Sequence, residues 1–275
     1  MDQLDYLKLF SSAVSVQGKD ILEIGGAIPP KEALSLNVKS WTSIDINERR
    51  FNTEDHAYIN DSRYKTILMG AEDMSFNDCQ FDAIFSGNCF EHISDLSTAL
   101  KEIHRVLRKN GVLFSKFSPI WSGPDGHHTW IHEGDHVIAF WQPGGVFPDW
   151  YHLSMSAEEL EKHLDGKYKP ETVKAIIQYV YHSNDLNRWL DSQFLKEMKN
   201  LNYHTIINYA IKSKNKPSSQ QLALMRERYP KAKDFRTQGF YWLLAKSKPT
   251  LIQYIRGYFG SAIAILKIKL ARKAS

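Results

Sequence analysis

Residues 20–50 read DILEIGGAIPPKEALSLNVKSWTSIDINERR. Ile21, Leu22 and Ile24 form the short apolar run of a strand buried on both faces. Gly25, Gly26 and Ala27 break that run with residues that let the backbone turn tightly. Pro29 and Pro30 then suit a first helical turn, where a missing N–H is of no consequence. Trp41, Ser43, Ile44 and Ile46 read as the next strand, with Asp45 near its carboxyl end. The order strand, turn, helix, strand is the unit of a parallel sheet.

Open parallel sheets bind ligands beyond the carboxyl ends of their strands, and an acid about 20 residues past the glycine turn can accept hydrogen bonds from a ribose diol. Asp45 is so placed. A dinucleotide fingerprint would need glycines at 25, 27 and 30, where the sequence has Gly25, Ala27 and Pro30. The second glycine admits a pyrophosphate to the backbone, so its replacement points to an adenosine ligand without one.

The segment resembles the first motif, E-x-G-x-G-x-G, of the class I S-adenosylmethionine-dependent methyltransferases in Glu23 and Gly25, with Ala27 and Pro29 at the later glycines. Further matches follow in order. Residues 66–74, TILMGAEDM, give a third strand and an acidic turn whose Ala71, Glu72, Asp73 and Met74 are similar to the second half of the family's G-D-A-E-D-L segment. Gly70 stands where the family often has an aspartate. Residues 81–92, FDAIFSGNCFEH, resemble its F-D-x-V-x-S…x-E-H segment, a fourth strand ending at Ser86 with Glu91-His92 entering a helix. His92 reads as a helix-start histidine. Leu100 to Leu113 resemble its L-x-E-x-x-R-V-L-R-x-x-G-x-L pattern.

The resemblance implies S-adenosylmethionine held by Glu23, Gly25, Gly26, Ala27, Asp45, Ile46, Gly70, Ala71, Glu72, Ser86, Gly87 and Asn88, the last three beside its methionine part. It also implies an α/β fold: a doubly wound, mostly parallel, seven-stranded Rossmann-like sheet. A helix over residues 2–17, a helix from Leu96 to Arg108 stopping at Asn110-Gly111, and a fifth strand Val112–Phe117 suit that fold. The sixth and seventh strands are expected at 203–211 and 235–247, and residues 171–199 are helical in period. One domain, residues 1–248, then carries an acceptor loop at about 118–153 and helical insertions at about 154–200 and 212–234. A capping box, Ser156 with Glu159, opens the first insertion.

The acceptor loop leaves the carboxyl end of the fifth strand and is rich in tryptophan and histidine. Methyl transfer from a sulfonium is an in-line displacement, and a hydroxyl acceptor must also lose its proton. His127 and His128 are the candidate general bases, and Trp121, His132, Trp141, Trp150 and Tyr151 are the candidate acceptor contacts. The bland reading, a loop whose histidines simply bond to backbone, stays open beside it. His127, His128, His132 and His136 offer i, i+4 pairs, but in a glycine-containing segment rather than a helix, so no metal is expected.

Hydrophobic content of 43% and charged content of 24% are ordinary for a globular chain of 275 residues, and a net charge of +4 is too mild to imply nucleic acid. With no secretory signal, Cys79 and Cys89 are expected as free thiols in a cytoplasmic, reducing compartment. The tail, 249–275, has five basic residues, no acidic residue, and apolar residues at helical spacing. It reads as a basic amphipathic helix that meets a membrane surface, the protein's own core or a partner, and its longest charge-free run, Gly257–Leu266, is too short to span a bilayer. These features favour O-methylation of a sugar, glycan or related small molecule with a histidine base. N- or C-methylation of another small molecule, a nicotinamide-dependent oxidoreductase and a non-catalytic cofactor-binding partner protein of the same fold are the competing readings.

Overall fold

A computed structural model describes residues 2–26, 28–51, 61–232 and 234–274. Its sheet has seven strands in the order β3-β2-β1-β4-β5-β9-β8. These are β1 Asp20–Ile24, β2 Ser40–Asp45, β3 Tyr64–Leu68, β4 Phe81–Gly87, β5 Leu107–Phe117, β8 His204–Lys212 and β9 Thr237–Ala245. The first five are parallel, and β9 runs antiparallel to both β5 and β8. The order reverses between β1 and β4, so a crevice lies past the carboxyl ends of those two strands.

Alternation along the strands builds two cores. On one face Ile21, Phe85, Phe114 and Leu243 meet Phe10 of α1, Gln3–Ala13, and Ala33 of α2, Pro30–Ser35. On the other, Leu22, Ile84, Leu113 and Trp242 meet Leu100 and Ile103 of α3, Leu96–Val106. Each face buries aliphatic and aromatic side chains completely, at about 1.5–3 kcal/mol apiece before entropy is counted. The segments between β5 and β9 form a third core of their own, in which Trp121, Phe147, Trp150, Leu160, Ile176, Met225 and Phe235 pack together.

The insertions differ from the sequence expectation in three places. Helix α3 stops at Val106, and β5 begins at once at Leu107, with a register irregularity between the Phe81 and Ala83 pairings. Gly111 lies in that irregular stretch, where a Cβ would stand 2.9 Å from the Arg108 carbonyl oxygen, so it serves the strand rather than a helix stop. The helical period over 171–199 is broken into Pro170–Ile177, a π turn at Gln178–His182 and Asp191–Asn200, and within the break Asn187 donates its amide to the carbonyls of Phe90 and Ile93. The loop after β5 contains a hairpin, β6 Trp130–Glu133 and β7 His136–Ala139, around Gly134-Asp135. No described helix is long and apolar enough to cross a membrane.

Candidate active site

Gly25 ends β1 with φ at +98°, a conformation that side-chain-bearing residues rarely adopt, and a Cβ there would stand 2.9 Å from that of Cys89. A Cβ on Gly26 would lie 2.7 Å from the Phe51 ring. Both glycine N–H groups donate to the Ile44 carbonyl, which ties the turn to β2. Behind it the buried Glu23 carboxylate accepts from the Ile28 N–H (2.9 Å), the Trp41 indole N–H (2.8 Å) and the Ser43 hydroxyl (2.8 Å). Glu23 therefore braces the turn from below rather than facing the crevice. Ala27 lies outside the described residues.

At the end of β2 the Asp45 carboxylate accepts from the Asn47 N–H at 2.8 Å and lies 3.9 Å from the Arg50 guanidinium. Burial nonetheless pushes its pKa up from the ordinary value. The next residue, Ile46, is 79% exposed, a large apolar side chain standing over the crevice rim beside Gly70. Glu72 approaches the same glycine, whereas Ala71 is buried in the second core, so only its backbone is available to a ligand.

The third wall is the end of β4. Ser86 is buried, Gly87 has no room for a side chain against Gln3 and Tyr6, and Asn88 is held at φ +47° with its N–H donating to the Lys116 carbonyl. Helix α1 reaches this turn: the Gln3 amide donates to the Gly87 carbonyl at 2.9 Å, and the Tyr6 hydroxyl to Asn88 at 3.4 Å. The Lys116 ammonium sits 4.3 Å from the Tyr6 ring centroid, and burial pushes its pKa down to about 8. Sequence reasoning does not reach Gln3, Tyr6 or Lys116. Only Lys116 leaves a signal, as the one charged residue in the apolar strand 112–117.

Glu91 and His92 lie in a turn ahead of α3 rather than in a helix. Glu91 is 3% exposed, and neither carboxylate oxygen has a hydrogen bond of ordinary geometry. Desolvation raises its pKa, against the opposing pull of His92, of its own and the Ser118 N–H, and of Lys116. His128 Nε2 stands 3.9 Å from Glu91 Oε1, and the rings of His92 and His128 are 4.8 Å apart. Since a carbonyl can only accept, His92 Nδ1–H donates to Asp185 and His128 Nδ1–H to Gly126. In its neutral form each ring then carries its lone pair on Nε2. Potential ligand atoms of Glu91, His92 and His128 lie within 4.8 Å of one another, a set different from the four histidines weighed in the sequence.

His127 and His128 part company. His128 takes φ +48°, which turns its ring toward Glu91, while the His127 ring packs 4.1 Å from that of Phe147 in the third core. His127 Nδ1 accepts the Thr129 N–H, and burial holds both imidazoles far below their ordinary pKa. Of the two candidate bases, His127 is thus engaged in the third core, and His128 is the one that faces Glu91.

The expected acceptor contacts divide in the same way. Trp121, Trp150 and Tyr151 belong to the third core, where the Trp150 N–H donates to the Phe235 carbonyl at 2.6 Å and the Tyr151 ring meets His163. His132 and Trp141 are exposed, and Trp141 packs against Trp130, a residue the sequence does not single out, with ring centroids 5.8 Å apart and planes tilted by 58°. Trp130 and Trp141 are 56% and 58% exposed. From Trp141 the contacts continue through Phe140 at 5.0 Å to His128 at 5.0 Å, an aromatic ladder from solvent to the buried imidazole.

Residues 24–115, which hold all three walls of the crevice, match the family described as a methyltransferase domain. An S-adenosylmethionine-dependent methyltransferase of Mesorhizobium loti has a similar structure, with a TM-score of 0.52 at 11% identity over 88% of this chain and 97% of that one. So does a protein of Listeria monocytogenes described as a candidate S-adenosylmethionine-dependent methyltransferase, with a TM-score of 0.53 at 12% identity over 89% and 99%. At such identities the structural likeness speaks for the fold. No curated protein matches the sequence. The domain match over residues 24–115 and the strand order support a class I, Rossmann-like, S-adenosylmethionine-dependent methyltransferase.

Proposed function

We propose that the chain methylates a hydroxyl group of a sugar or sugar-bearing small molecule, with His128 receiving the hydroxyl proton. The observation that carries this reading is the aromatic ladder, in which two exposed tryptophans lead through Phe140 to an imidazole whose free lone pair faces a buried carboxylate. Exposed tryptophan faces stack on the C–H faces of sugar rings, and a base at the inner end of the platform meets one hydroxyl of whatever is stacked there.

The walls of the crevice fit S-adenosylmethionine: a glycine turn at Gly25-Gly26 packed by Cys89 and Phe51, a carboxylate at Asp45 for the ribose diol, an apolar cover at Ile46 for adenine, and the Gly87-Asn88 turn for the methionine part. Bound there, it supplies an electrophilic methyl group on a sulfonium. Gln3 and Tyr6 close the crevice at Gly87 and Asn88. His128 accepts the proton, and the imidazolium so formed lies beside Glu91, which offsets its charge in a buried setting. Asp45→Ala removes an acceptor from the ribose and is expected to weaken S-adenosylmethionine binding about 10- to 100-fold by calorimetric titration, the range for hydrogen bonds to a charged group. An unchanged affinity would remove Asp45 from the pocket.

The reading of the acceptor is tested by Trp130→Ala and Trp141→Ala with a panel of hydroxylated sugars. Each variant is expected to raise KM for the acceptor about 10-fold with little change in kcat, as for the loss of one stacking face. A chelator is expected to leave turnover unaltered. If chelation abolishes activity and a divalent cation restores it, Glu91, His92 and His128 are metal ligands and the base assignment is wrong. Equal turnover of amine or carbon acceptors with both tryptophans replaced would overturn the sugar reading.

A further inference from the structure

The last helix of the chain carries two apolar faces. Leu251–Ile255, Arg256–Gly260 and Ser261–Ala274 run on as one helix with a π turn in the middle. Its inner face is made of small or slender residues, Gly257, Ser261, Ala264 and Ile268, all buried. Gly257 seats on Ile206 and Leu243, Ser261 shares a 2.7 Å hydrogen bond with Tyr241, and Gly260 lies against the Ser12 carbonyl of α1. Arg256 donates to the Ser11 carbonyl and Arg272 pairs with Asp5, so the helix is fixed to α1 along its length.

The opposite face is apolar too, and none of the described residues covers it. Leu251, Ile252, Ile255, Phe259, Ile263, Leu266 and Leu270 are all exposed and share one stripe at helical spacing. With Tyr254 and Tyr258 they make nine of the sixteen exposed large apolar residues among those described, so the exposure is concentrated rather than scattered. The exposed Lys267 and Lys269 fall on the two borders of the stripe, and residues 249–275 contain no acidic residue. An apolar stripe about 30 Å long with lysines on its flanks has the dimensions of a helix lying in a bilayer interface, its ammonium groups at headgroup level.

We propose that residues 251–270 form a peripheral anchor that seats this outer stripe in an anionic lipid surface. Charge decides between the two candidate occupants. In a second copy packed stripe to stripe, Lys267 and Lys269 would meet a tail that holds no Asp or Glu to offset them, whereas anionic headgroups offset them directly.

The test uses the full chain and vesicles of neutral phosphatidylcholine, with and without a third of anionic phosphatidylglycerol, in a sedimentation assay. The chain is expected to co-sediment with the anionic vesicles, and to be released by high salt. Lys267→Gln with Lys269→Gln is expected to weaken binding about 25-fold, near fivefold for each ammonium group withdrawn from the headgroup layer. The triple variant Phe259→Ser, Ile263→Ser, Leu266→Ser is expected to weaken it at least about 1000-fold, since three apolar side chains leave the acyl boundary. An unchanged melting temperature and unchanged S-adenosylmethionine affinity would show that the variants fold. Failure to sediment with anionic vesicles overturns the proposal, as does equal binding by the triple variant. A dimer seen by light scattering that the serine substitutions dissociate, without any vesicle binding, would assign the stripe to a second copy instead.

Discussion

Glu23→Ala is expected to lower the stability of the fold by about 3–5 kcal/mol, the usual cost of deleting one partner from a buried, charged hydrogen-bond network. The residue is 1% exposed, and its removal strands the Ile28 N–H, the Trp41 indole and the Ser43 hydroxyl in a dry interior. Water does not enter easily, because Trp41, itself fully buried, packs on Phe10 and Phe85. For a domain of this size the loss corresponds to a melting temperature lower by about 10 °C. Glu23→Gln keeps the volume and one acceptor oxygen but turns its NH2 toward either the Ile28 N–H or the Trp41 N–H and Ser43 hydroxyl, so an intermediate loss is expected. Thermal and urea unfolding of the three proteins would measure both. A Glu23→Ala protein as stable as the wild type, deficient only in S-adenosylmethionine affinity, would show that Glu23 meets the ligand rather than bracing the turn.

That role illustrates what the sequence can and cannot carry. The apolar runs at 21–24, 81–85 and 112–117 are legible as buried strands because parallel strands bury both faces, and the acid at 45 is legible because its distance from the glycine turn is fixed by one strand, one helix and one strand. Glu23 belongs to the same motif, yet its direction depends on Trp41 and Ser43 from the neighbouring strand, a tertiary fact. Neighbouring His127 and His128 look equivalent in sequence, since nothing in the residue types says which of them takes a positive φ. The hairpin at 130–139 is readable: W-I-H-E and H-V-I-A flank Gly134-Asp135, a two-residue turn of the type that joins antiparallel strands. The aromatic and histidine content of the loop draws attention away from that alternation. Glu91 is visible as part of a motif, but its two unpartnered oxygens appear only when β5 and the loop after it close over the turn.

His128→Asn is expected to lower kcat by about 10²- to 10⁴-fold, the range for loss of a positioned general base, while S-adenosylmethionine affinity stays within a few-fold. Asparagine is the informative replacement because position 128 sits at φ +48°, which asparagine tolerates better than alanine, so the backbone between Gly126 and Thr129 is kept. The pH profile separates a base from a packing residue. Burial, followed by the charge of His92, lowers the His128 pKa well below 6.5, so the free lone pair persists through neutral pH. Wild-type kcat/KM is therefore expected to stay level from about pH 8 down to 6.5 and to fall only at more acid pH, where the Glu91–His128 pair gains a proton as a unit. Stability follows the same sign: a histidine held neutral in the fold contributes stability that is present above the unfolded-state value near 6.5 and is lost as pH falls below it toward the lower folded-state value. His128→Asn should flatten the acid limb of whatever turnover remains and lessen the acid loss of stability. A variant with normal kcat and the same acid limb as the wild type would leave His128 as a buried packing histidine, and the proton acceptor would have to be sought at His92, whose Nε2 is the other lone pair at the end of the ladder.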